Sequence, residues 1–341
     1  NVPEIDRGIG LVTLDASFNI LPFCNDSLLY LTSCPESNQF KNEFNNLYTG
    51  IITSGTNHAS FTIDRALFNN NLYGIRIEGA QFGEIIRSDF HVPFSFVPGE
   101  TKYAFGIYAN ASSVTKIENN NFLGLYDASG RSIGVFINNS DVSGTGLSNF
   151  LNDYTGLSIG TQTAGSNTHL NIDCNTFTKY SNYGLADIHV ANGVLANQGA
   201  CNTGVVNPDP QLPQANIFNG ICNNSNMNQL KNSSLSSFEY NSYPTINCGF
   251  NTACLYGNIL GTECTANTTE ISEACPTTLT SIGSPVHKIR IDQNKNAIAR
   301  LINKVDAGNT SAIQQLITNS TNPSLLKSEL DSIEPYLSPQ N

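Results

Sequence analysis

A repeated pattern of aromatic, glycine and alternating apolar residues constrains this chain more than any other feature of its 341 residues. Each copy has a Phe that follows small polar residues, then a connection, then a Gly and a short alternating segment. The glycines of the six copies are Gly50, Gly74, Gly106, Gly134, Gly156 and Gly184, at intervals of 24, 32, 28, 22 and 28 residues by subtraction. A period of about 20–30 residues with variable insertions indicates a solenoid, in which each repeat stacks on the next.

The repeats predict β-strands rather than helices. Between residues 44 and 220 the apolar segments are short, rich in β-branched and aromatic residues, and interrupted by Gly and Asn every few positions. A leucine-rich repeat needs a leucine pattern that is absent, and a β-propeller needs about 40 residues for each four-stranded blade. We therefore predict an all-β fold, a right-handed parallel β-helix with one coil per repeat and a short α-helical C-terminal segment.

The alternation within each copy predicts which side chains fill the interior. Successive residues of a strand point to opposite faces, so every second residue points inward. The predicted interior has an aliphatic column and a phenylalanine column: Ile75, Ile77, Val135, Ile137, Leu157 and Ile159, and Phe68, Phe122, Phe150 and Phe177.

The small polar residues are predicted to form the corners between strands. Tight corners need a positive φ angle, which Gly adopts freely and Asn more readily than other residues. Asn side chains of successive coils can also form hydrogen-bonded ladders, and the best candidates are Asn69–Asn71 and Asn119–Asn121. Charged residues make up only 13% of the chain, in keeping with a stack in which repeated like charges would repel.

The chain outside the clearest repeats predicts two further kinds of structure. We assign residues 1–285 to the β-helix, with 1–44 as a first coil or N-terminal cap and 201–285 as an irregular, disulfide-rich end. Residues 286–341 are predicted to be helical, because apolar residues recur there with helical spacing. One such stripe contains Ala297, Ile298, Leu301, Ile302 and Val305.

Nine cysteines indicate an oxidising compartment. No C-x-x-C motif occurs, so their spacing predicts structural disulfides rather than a metal site, and no cofactor is expected. The predicted pairs are Cys24 with Cys34, Cys174 with Cys201, Cys248 with Cys254, and Cys264 with Cys275. Because nine is odd, at least one thiol, such as Cys222, is predicted to be free or to pair outside the chain.

Charge and hydropathy exclude several classes of partner. A net charge of −11 and a pI near 4.8 argue against nucleic acid, which needs a basic face. No apolar run approaches the ~18 residues of a membrane span, so direct membrane insertion is not expected. The sequence opens without an initiator Met or a signal peptide, which predicts a mature chain or a fragment of a longer precursor.

One group of ionisable residues is dense enough to test for catalysis. Glycosidases need two carboxylates about 5–10 Å apart, and the best neighbourhood is Arg76, Glu78, Glu84, Arg87 and Asp89. We interpret these residues as solvated outward positions on two strands. The alternative interpretation is a polysaccharide lyase or glycosidase that acts on the β-helix face. The five histidines each stand alone, and His189 is predicted to be a surface residue.

Seven aromatic residues lie near the strand ends: Tyr73, Phe105, Tyr108, Phe136, Tyr154, Tyr180 and Tyr183. If several face outward they could form a strip on which sugar rings stack. We favour the other interpretation, in which they cap the core, because aromatic residues at strand ends are common packing elements.

Several short segments carry a resemblance to a known group of proteins: Asn175-Thr176-Phe177, Glu273-Ala274-Cys275-Pro276, Leu301 to Asn309, and Glu334 to Ser338. With the repeat, they resemble the large secreted surface proteins of Bacteroidota that are exported by the type IX system. The resemblance covers about residues 45–341 and implies a parallel β-helix, a helical stretch and a C-terminal sorting domain, which this chain does not contain. It also implies O-glycosylation at Ser27 and Ser332, each within a short Asp-Ser-Leu or Asp-Ser-Ile motif.

These observations favour a non-catalytic secreted or cell-surface β-helical protein for adhesion, surface structure or assembly. The expected partners are surface glycans or other surface and assembly proteins. Besides the enzyme alternative, a phage-type tailspike is a second alternative, which would form a trimer along its length.

Overall fold

The computed structural model describes residues 7–24, 39–55, 60–80, 82–93, 103–112, 115–124, 132–141, 147–179, 185–199, 216–219, 228–242 and 251–263. The chain divides into two compact units, Asn1–Ile271 and Ser272–Asn341, and every described residue belongs to the first. The predicted helical segment 286–341 therefore lies outside the described residues.

The described residues form strands and one short 3-10 turn, Thr252–Cys254. The first fourteen strands are β1 (Ile9–Leu14), β2 (Phe18–Ile20), β3 (Phe23–Cys24), β4 (Gln39–Phe40), β5 (Asn42–Asn45), β6 (Thr49–Ser54), β7 (Ser60–Asp64), β8 (Ala66–Asn69), β9 (Tyr73–Glu78), β10 (Phe82–Ile86), β11 (Asp89–Val92), β12 (Ala104–Asn110), β13 (Thr115–Glu118) and β14 (Asn121–Gly124). The others are β15 (Ser132–Asn138), β16 (Ser148–Phe150), β17 (Asp153–Thr155), β18 (Ile159–Ala164), β19 (Ser166–Asn167), β20 (Asn171–Asp173), β21 (Thr176–Thr178), β22 (Ala186–Val190), β23 (Val194–Leu195), β24 (Ile217–Asn219), β25 (Asn228–Asn232), β26 (Phe238–Ser242), β27 (Leu255–Tyr256) and β28 (Ile259–Glu263).

Three long parallel sheets contain most of these strands. Sheet 1 has the order β1-β6-β9-β12-β15-β18-β22-β25-β27, sheet 2 the order β2-β7-β10-β13-β16-β20, and sheet 3 the order β5-β8-β11-β14-β17-β21-β24. The pairs β19-β23 and β26-β28 are also parallel, and only β3-β4 is antiparallel. Because consecutive coils supply neighbouring strands of each sheet, the fold is an all-β parallel solenoid, as the repeat predicts.

The strand register places an aliphatic column on the inner side of sheet 1. Its members are Ile51, Ile75, Ile107, Val135, Thr161, Ile188 and Leu230, all buried. The predicted inward positions of Ile75, Ile77, Val135 and Ile137 are confirmed. Leu157 and Ile159 are buried but do not continue these columns, because Val135 pairs with Thr161 and Ile137 with Thr163.

Seven stacked rings form a second interior column, here called the aromatic column. They are Phe44, Phe68, Phe90, Phe122, Tyr154, Phe177 and Phe218, with neighbouring ring centroids 4.7–5.5 Å apart and planes within 11° of parallel. The prediction of Phe150 in this column is wrong. Phe150 lies in sheet 2, where it pairs with Glu118 and Asp173, and Tyr154 occupies the predicted place.

The tyrosine in the aromatic column keeps its hydroxyl group paired inside the solenoid. The Tyr154 hydroxyl donates to Oδ1 of Asn149 at 2.7 Å, and Nδ2 of Asn149 donates to Oγ1 of Thr161 at 2.8 Å. All three side chains are buried, and burial raises the pKa of the Tyr154 hydroxyl well above its usual range. A polar partner set thus allows Tyr where the neighbouring coils have Phe.

A ladder of buried asparagines joins the coils at the corner between sheets 2 and 3. Its rungs are Asn120, Asn152, Asn175 and Asn216, all within 1% of fully buried. The side-chain oxygen of each later rung accepts a backbone N–H of the rung before it at 2.9 Å, and each amide group donates to a carbonyl oxygen of the preceding coil at 2.8–2.9 Å. The ladder satisfies backbone groups that a corner would otherwise leave unpaired.

Only part of the predicted ladder is correct. Asn120 belongs to it, whereas Asn71 bonds the backbone of Leu47 and Phe44 at another corner. Asn69, Asn119 and Asn121 lie outside this ladder. The prediction is confirmed for Asn70, which donates to Oδ1 of Asn46 in the preceding coil at 2.7 Å; Asn121 donates to Asp89. The sequence showed which runs were rich in Asn but could not show which member of a run points inward.

The predicted use of Asn and Gly at the corners is confirmed in part. Positive φ angles occur at Gly156 and at four asparagines: Asn46, Asn70, Asn119 and Asn139. Four of the repeated glycines lie within strands instead: Gly50, Gly74, Gly106 and Gly134. The left-handed residues at the corner before the ladder are Arg65, Arg87, Asn119, Leu151 and Cys174, with φ angles of 50–56°. Gly106 instead lies within β12, where an added Cβ would be 2.6 Å from the carbonyl oxygen of Gly134 and 2.7 Å from Cδ1 of Phe122. The repeat therefore needs Gly because the stacked coil and the aromatic column leave no space for a side chain.

The copy that contains Gly156 differs from the others. Gly156 has a φ angle of +66° and lies at a corner, as predicted, whereas Gly160 takes the strand position, beneath the ring of Phe177. This shift of four residues explains why Leu157 and Ile159 are buried, as predicted, but do not continue the aliphatic columns.

Candidate functional site

The outer side of sheet 1 presents one side chain from each coil in a continuous row, here called the outer column. In register order its members are Val12, Ile52, Arg76, Tyr108, Phe136, Gln162, His189, Lys231 and Tyr256. Alternation places these residues outward because their neighbours along each strand fill the interior. The row is therefore a fixed surface on regular strands rather than a feature of loops.

Four half-buried rings form an aromatic cluster on this surface: Tyr73, Phe105, Tyr108 and Phe136. Tyr73 stacks on Phe105 at a centroid distance of 5.2 Å, and Tyr108 stacks on Phe136 at 5.0 Å. The two stacked pairs meet edge to face, with Phe105 and Tyr108 centroids 5.4 Å apart. Such offset and perpendicular contacts are the favoured arrangements of aromatic rings.

The favoured interpretation of the strand-end aromatics, that they cap the core, is wrong for Tyr108 and Phe136, which alternate outward on sheet 1. It is confirmed for Tyr73, whose half-buried ring packs against the core. Among the five described residues of this group, Tyr154 alone is fully buried in the interior. Tyr180 and Tyr183 lie outside the described residues. The sequence left this ambiguous because an aromatic residue directly before or after the inward positions fits either face.

Arg76 is held against the aromatic cluster by two of its rings, Tyr73 and Tyr108, and by the carboxylate of Glu78. Its guanidinium carbon lies 5.8 Å from the ring centroids of both Tyr73 and Tyr108, within the range of cation–π attraction. Nε donates to Oε1 of Glu78 at 2.8 Å, and this hydrogen bond raises the pKa of Arg76. Oε2 of Glu78 accepts from Asn110 at 2.7 Å, so the arginine is fixed in place at the N-terminal end of the cluster.

The other end of the outer column repeats the pairing of a cation with a ring. Nζ of Lys231 lies 5.6 Å from the ring centroid of Tyr256, which is exposed. Between this pair and Phe136 lie the amide of Gln162 and the imidazole of His189, both half-buried. Nε2 of His189 lies 3.0 Å from Oγ of Ser233.

The His189 imidazole is neutral at physiological pH. Burial, and then the nearby charge of Lys231, lower the pKa of His189 to about 4. Nδ1 of His189 and Oε1 of Gln162 are buried without a hydrogen-bond partner among the described residues. The predicted outward orientation of His189 is confirmed, but its ring is partly covered by neighbouring coils.

The residues of the catalytic alternative are distributed over all three sheets. Arg76 and Glu78 pair on sheet 1, whereas Glu84 lies on sheet 2 and accepts from Lys116 at 2.9 Å. The other two are also paired elsewhere: Arg87 makes two hydrogen bonds to Asp64, and Asp89, on sheet 3, pairs with Lys41 and Asn121. The structure thus brings together only Arg76 and Glu78, and each of the other three has a structural partner.

Two buried or anchored carboxylates escaped the sequence prediction. Asp141 accepts from the hydroxyl of Ser166 at 2.6 Å and from the backbone N–H groups of Thr168 and His169. Burial tends to raise the pKa of Asp141, but these hydrogen bonds outweigh it and lower the pKa to about 2. Asp187 is buried 3.2 Å from Nζ of Lys179, and burial raises the pKa of Asp187 to about 6.

Neither carboxylate had a recognisable signal in the sequence. The partners of Asp141 are more than twenty residues away, and Asp187 takes the strand position that Gly holds in earlier coils. Across the described residues, no group of three or more His, Cys, Asp or Glu side chains could hold a metal ion. The same residues include no helix that is long and apolar enough to cross a membrane.

The modification sites predicted from the sequence can be placed only in part. Cys174 and Cys254 are both buried and disulfide-bonded. Each of the four predicted pairs has at least one member whose side chain lies outside the described residues, so the pairing itself stays a prediction. Ser27 and Ser332 also lie outside the described residues, as do Cys34, Cys201, Cys222, Cys248, Cys264 and Cys275.

No family model, curated protein or solved structure matches this chain. The outer column is therefore the feature from which a function can be argued: a straight row of rings, amides and cations at the spacing of hydrogen-bonded strands, about 4.8 Å. Rings on a rigid surface can pack against flat apolar faces, and the polar members can donate or accept hydrogen bonds beside them.

Proposed function

We propose that this protein is a non-catalytic secreted or cell-surface β-solenoid that binds glycans along the outer column of sheet 1. The observation that carries the proposal is the aromatic cluster, in which four half-buried rings and Arg76 are held on regular strands. The C–H groups of a sugar ring carry partial positive charge and pack well on the negative face of an aromatic ring.

The polar neighbours of the cluster suit the hydroxyl groups of a sugar chain. Asn110 and Asn138 lie beside Tyr108 and Phe136 on the same outer face, and Nδ2 of Asn138 donates to Oδ1 of Asn110 at 2.8 Å. An aromatic surface bordered by amides offers both the packing and the hydrogen bonds that fix the orientation of a ligand. Because the coils are rigid, little conformational entropy is lost on binding.

The distribution of the ionisable residues supports binding rather than cleavage. Glycoside hydrolysis uses two carboxylates that face the same bond. On the described part of sheet 1, the strands contain only two acidic residues, Glu78 and Asp187, and each already has a basic partner. Because both carboxylates are in ion pairs and one of them is buried, we favour a surface that binds its ligand without cleaving it.

The proposal extends to location and to the remaining parts of the fold. Secretion or display at a cell surface, in adhesion, surface structure or assembly, accords with nine cysteines and an acidic, weakly charged composition. We also propose the right-handed form of the solenoid, since parallel strand connections are right-handed in about 98% of cases. A helical segment over 286–341 remains part of this proposal.

Binding to immobilised glycans tests the proposal. The intact protein is applied to an array of polysaccharides and oligosaccharides, and affinities for the ligands found are then measured by calorimetry. We expect Tyr108→Ala to weaken binding about tenfold, because a central aromatic contact commonly contributes more than 1 kcal/mol.

A matched control separates the outer column from exposed aromatic residues in general. Phe40 is 46% exposed and stacks on Phe23 in the antiparallel pair β3-β4, away from sheet 1. Phe40→Ala should bind glycans as the unchanged protein does. Failure of the unchanged protein to bind any glycan, or equal loss in both variants, would exclude the outer column as a glycan site.

A further inference from the structure

The charges on sheet 1 differ from those of the chain as a whole. The chain carries a net charge of −11, and the strands of sheets 2 and 3 contain outward-alternating acidic residues, among them Glu84, Glu118 and Asp153. From β12 to β27, the described strands of sheet 1 contain one acidic residue, Asp187. Because its side chain is buried and paired with Lys179, the outer face of these strands presents no carboxylate.

Among the described residues of that face, Lys231 is a cation without an ion-pair partner. Its ammonium group lies over the ring of Tyr256 and lies close enough to His189 to lower the pKa of the imidazole. Among the described residues, no carboxylate lies within ion-pair distance of Lys231. In contrast, the other outward cation of the column, Arg76, is already paired with Glu78.

The outer column also has a definite length. Tyr108 and Tyr256 are five strand spacings apart in sheet 1, which is about 24 Å at about 4.8 Å for each spacing. The aromatic cluster therefore lies at one end and the unpaired ammonium group at the other, joined by Gln162 and His189. Such a row suits an extended chain with an apolar face at one end and a negative charge at the other.

We propose that the ligand of the outer column is an acidic oligosaccharide, whose sugar faces stack on the aromatic cluster and whose anionic group binds Lys231. The inference rests on the proposed glycan function and specifies the class of ligand. A carboxylate of a uronic acid and a sulfate ester supply the same charge to the lysine. Removing carboxylates from this face of an acidic protein avoids the repulsion that such a ligand would otherwise meet.

Three pentasaccharides distinguish the possibilities when their affinities for the intact protein are measured by calorimetry. They are a pentasaccharide of mannuronic acid, its carboxyl-reduced neutral counterpart, and a sulfated pentasaccharide of galactose. We expect at least one acidic pentasaccharide to bind about fivefold or more tightly than the neutral one, and added salt to weaken only the acidic ligands. Whichever acidic ligand binds better identifies the source of the charge.

Variants of Lys231 connect this preference to one residue. Lys231→Gln should reduce affinity for the acidic pentasaccharide about fivefold and leave the neutral one unchanged, whereas Lys231→Arg should retain the preference. Lys116→Gln is the matched control, because Lys116 is an outward lysine of sheet 2 that pairs with Glu84. The imidazole resonances of His189, next to Lys231 in the column, should shift when the acidic ligand binds.

The outcomes separate this inference from the proposed function. Equal affinity for acidic and neutral pentasaccharides, or no effect of Lys231→Gln on either, would overturn the acidic class while glycan binding stands. A preference that persists in Lys231→Gln would assign the charge recognition elsewhere and also overturn the inference. Loss of all glycan binding in the unchanged protein would overturn the proposed function itself.

Discussion

Two sets of stacked aromatic rings in the described part of the solenoid, the aromatic column and the aromatic cluster, lie on opposite faces of the coils. The aromatic column runs through the interior, where its seven rings have centroids 4.7–5.5 Å apart and are flanked by aliphatic residues. The aromatic cluster lies on the outer face of sheet 1, with similar centroid distances but rings that remain partly exposed. The comparison shows that ring stacking follows from the repeat itself, whereas burial decides whether it stabilises the fold or remains available to a ligand.

The sharpest way to break this comparison is to remove one ring from each set. Phe122→Ala removes a ring that is 1% exposed and stacked on both sides, so we expect a loss of about 3–5 kcal/mol in the free energy of unfolding. Phe136→Ala removes a half-buried outer ring and should cost less than about 1 kcal/mol. Urea denaturation of both variants provides the measurement. Similar losses in the two variants would contradict the division between the two sets.

Two asparagines allow the stability contributions of a buried and an outer polar side chain to be compared in the same way. Asn152→Ala would leave the backbone N–H of Asn120 and the carbonyl group of Ile117 buried without their partners. At about 1–3 kcal/mol for each of the two unpaired groups, we expect a loss of about 2–6 kcal/mol. Asn138→Ala removes an outer amide whose partners can bond water, and should cost less than about 1 kcal/mol. Thermal unfolding ranks the pair, and a milder effect at Asn152 would argue against the ladder as a source of stability.

Asp141, a carboxylate at the surface, allows the contribution of an outer contact to stability to be measured as a function of pH. The pKa of Asp141 is about 2 in the folded chain, against about 3.9 for an unfolded Asp. The lowered pKa means that its contribution to stability is complete above about pH 4 and is lost as the pH falls towards 2. Because the site is at the surface, we expect only about 1 kcal/mol.

The measurement compares unfolding free energies of the unchanged chain and Asp141→Asn across that range of pH. The difference between them should be largest at pH 5 and shrink towards pH 2. A difference that stays constant from pH 5 to pH 2 would show that the hydrogen bonds of Asp141 do not depend on its charge. In that case the contribution of Asp141 to stability would be independent of pH, as it is for the neutral hydrogen bonds of the interior.

The parts of the fold that follow from periodicity could be predicted from the sequence. Ile75, Ile77, Phe68 and Phe122 were assigned correctly because alternation and the repeat interval both determine their position. The error at Phe150 arose because the repeat was aligned on the letter Phe, whereas the stack accepts Tyr154 once Asn149 pairs with its hydroxyl group. A polar interior partner has no signature in a single sequence.

The candidate site was less predictable than the fold. Tyr108 and Phe136 were recognised as a possible strip, and alternation with the buried residues on either side places both outward. The contacts that join Tyr73 and Phe105 to them do not follow from alternation. The sequence likewise suggested that the repeated glycines lie at corners. A sequence shows that a residue is Gly, but it does not show whether neighbouring atoms leave space for a side chain there. Stacking leaves no room beside Gly106, and positive φ angles occur at Arg65 and Leu151 as well as at the predicted kinds of residue, such as Asn119 and Gly156.

The asparagine ladder makes the coils of this protein interchangeable units of length. Asn120 and Asn152 make equivalent bonds to the coils on either side, and the residues before them, Asn119 and Leu151, share the same left-handed backbone. Copying residues 119–150 would thus rejoin the chain at matching corners, keep every rung paired and retain the partner of Tyr154. Evolution can therefore lengthen the outer column by a whole coil, which would change how many sugar units the surface spans without a new fold.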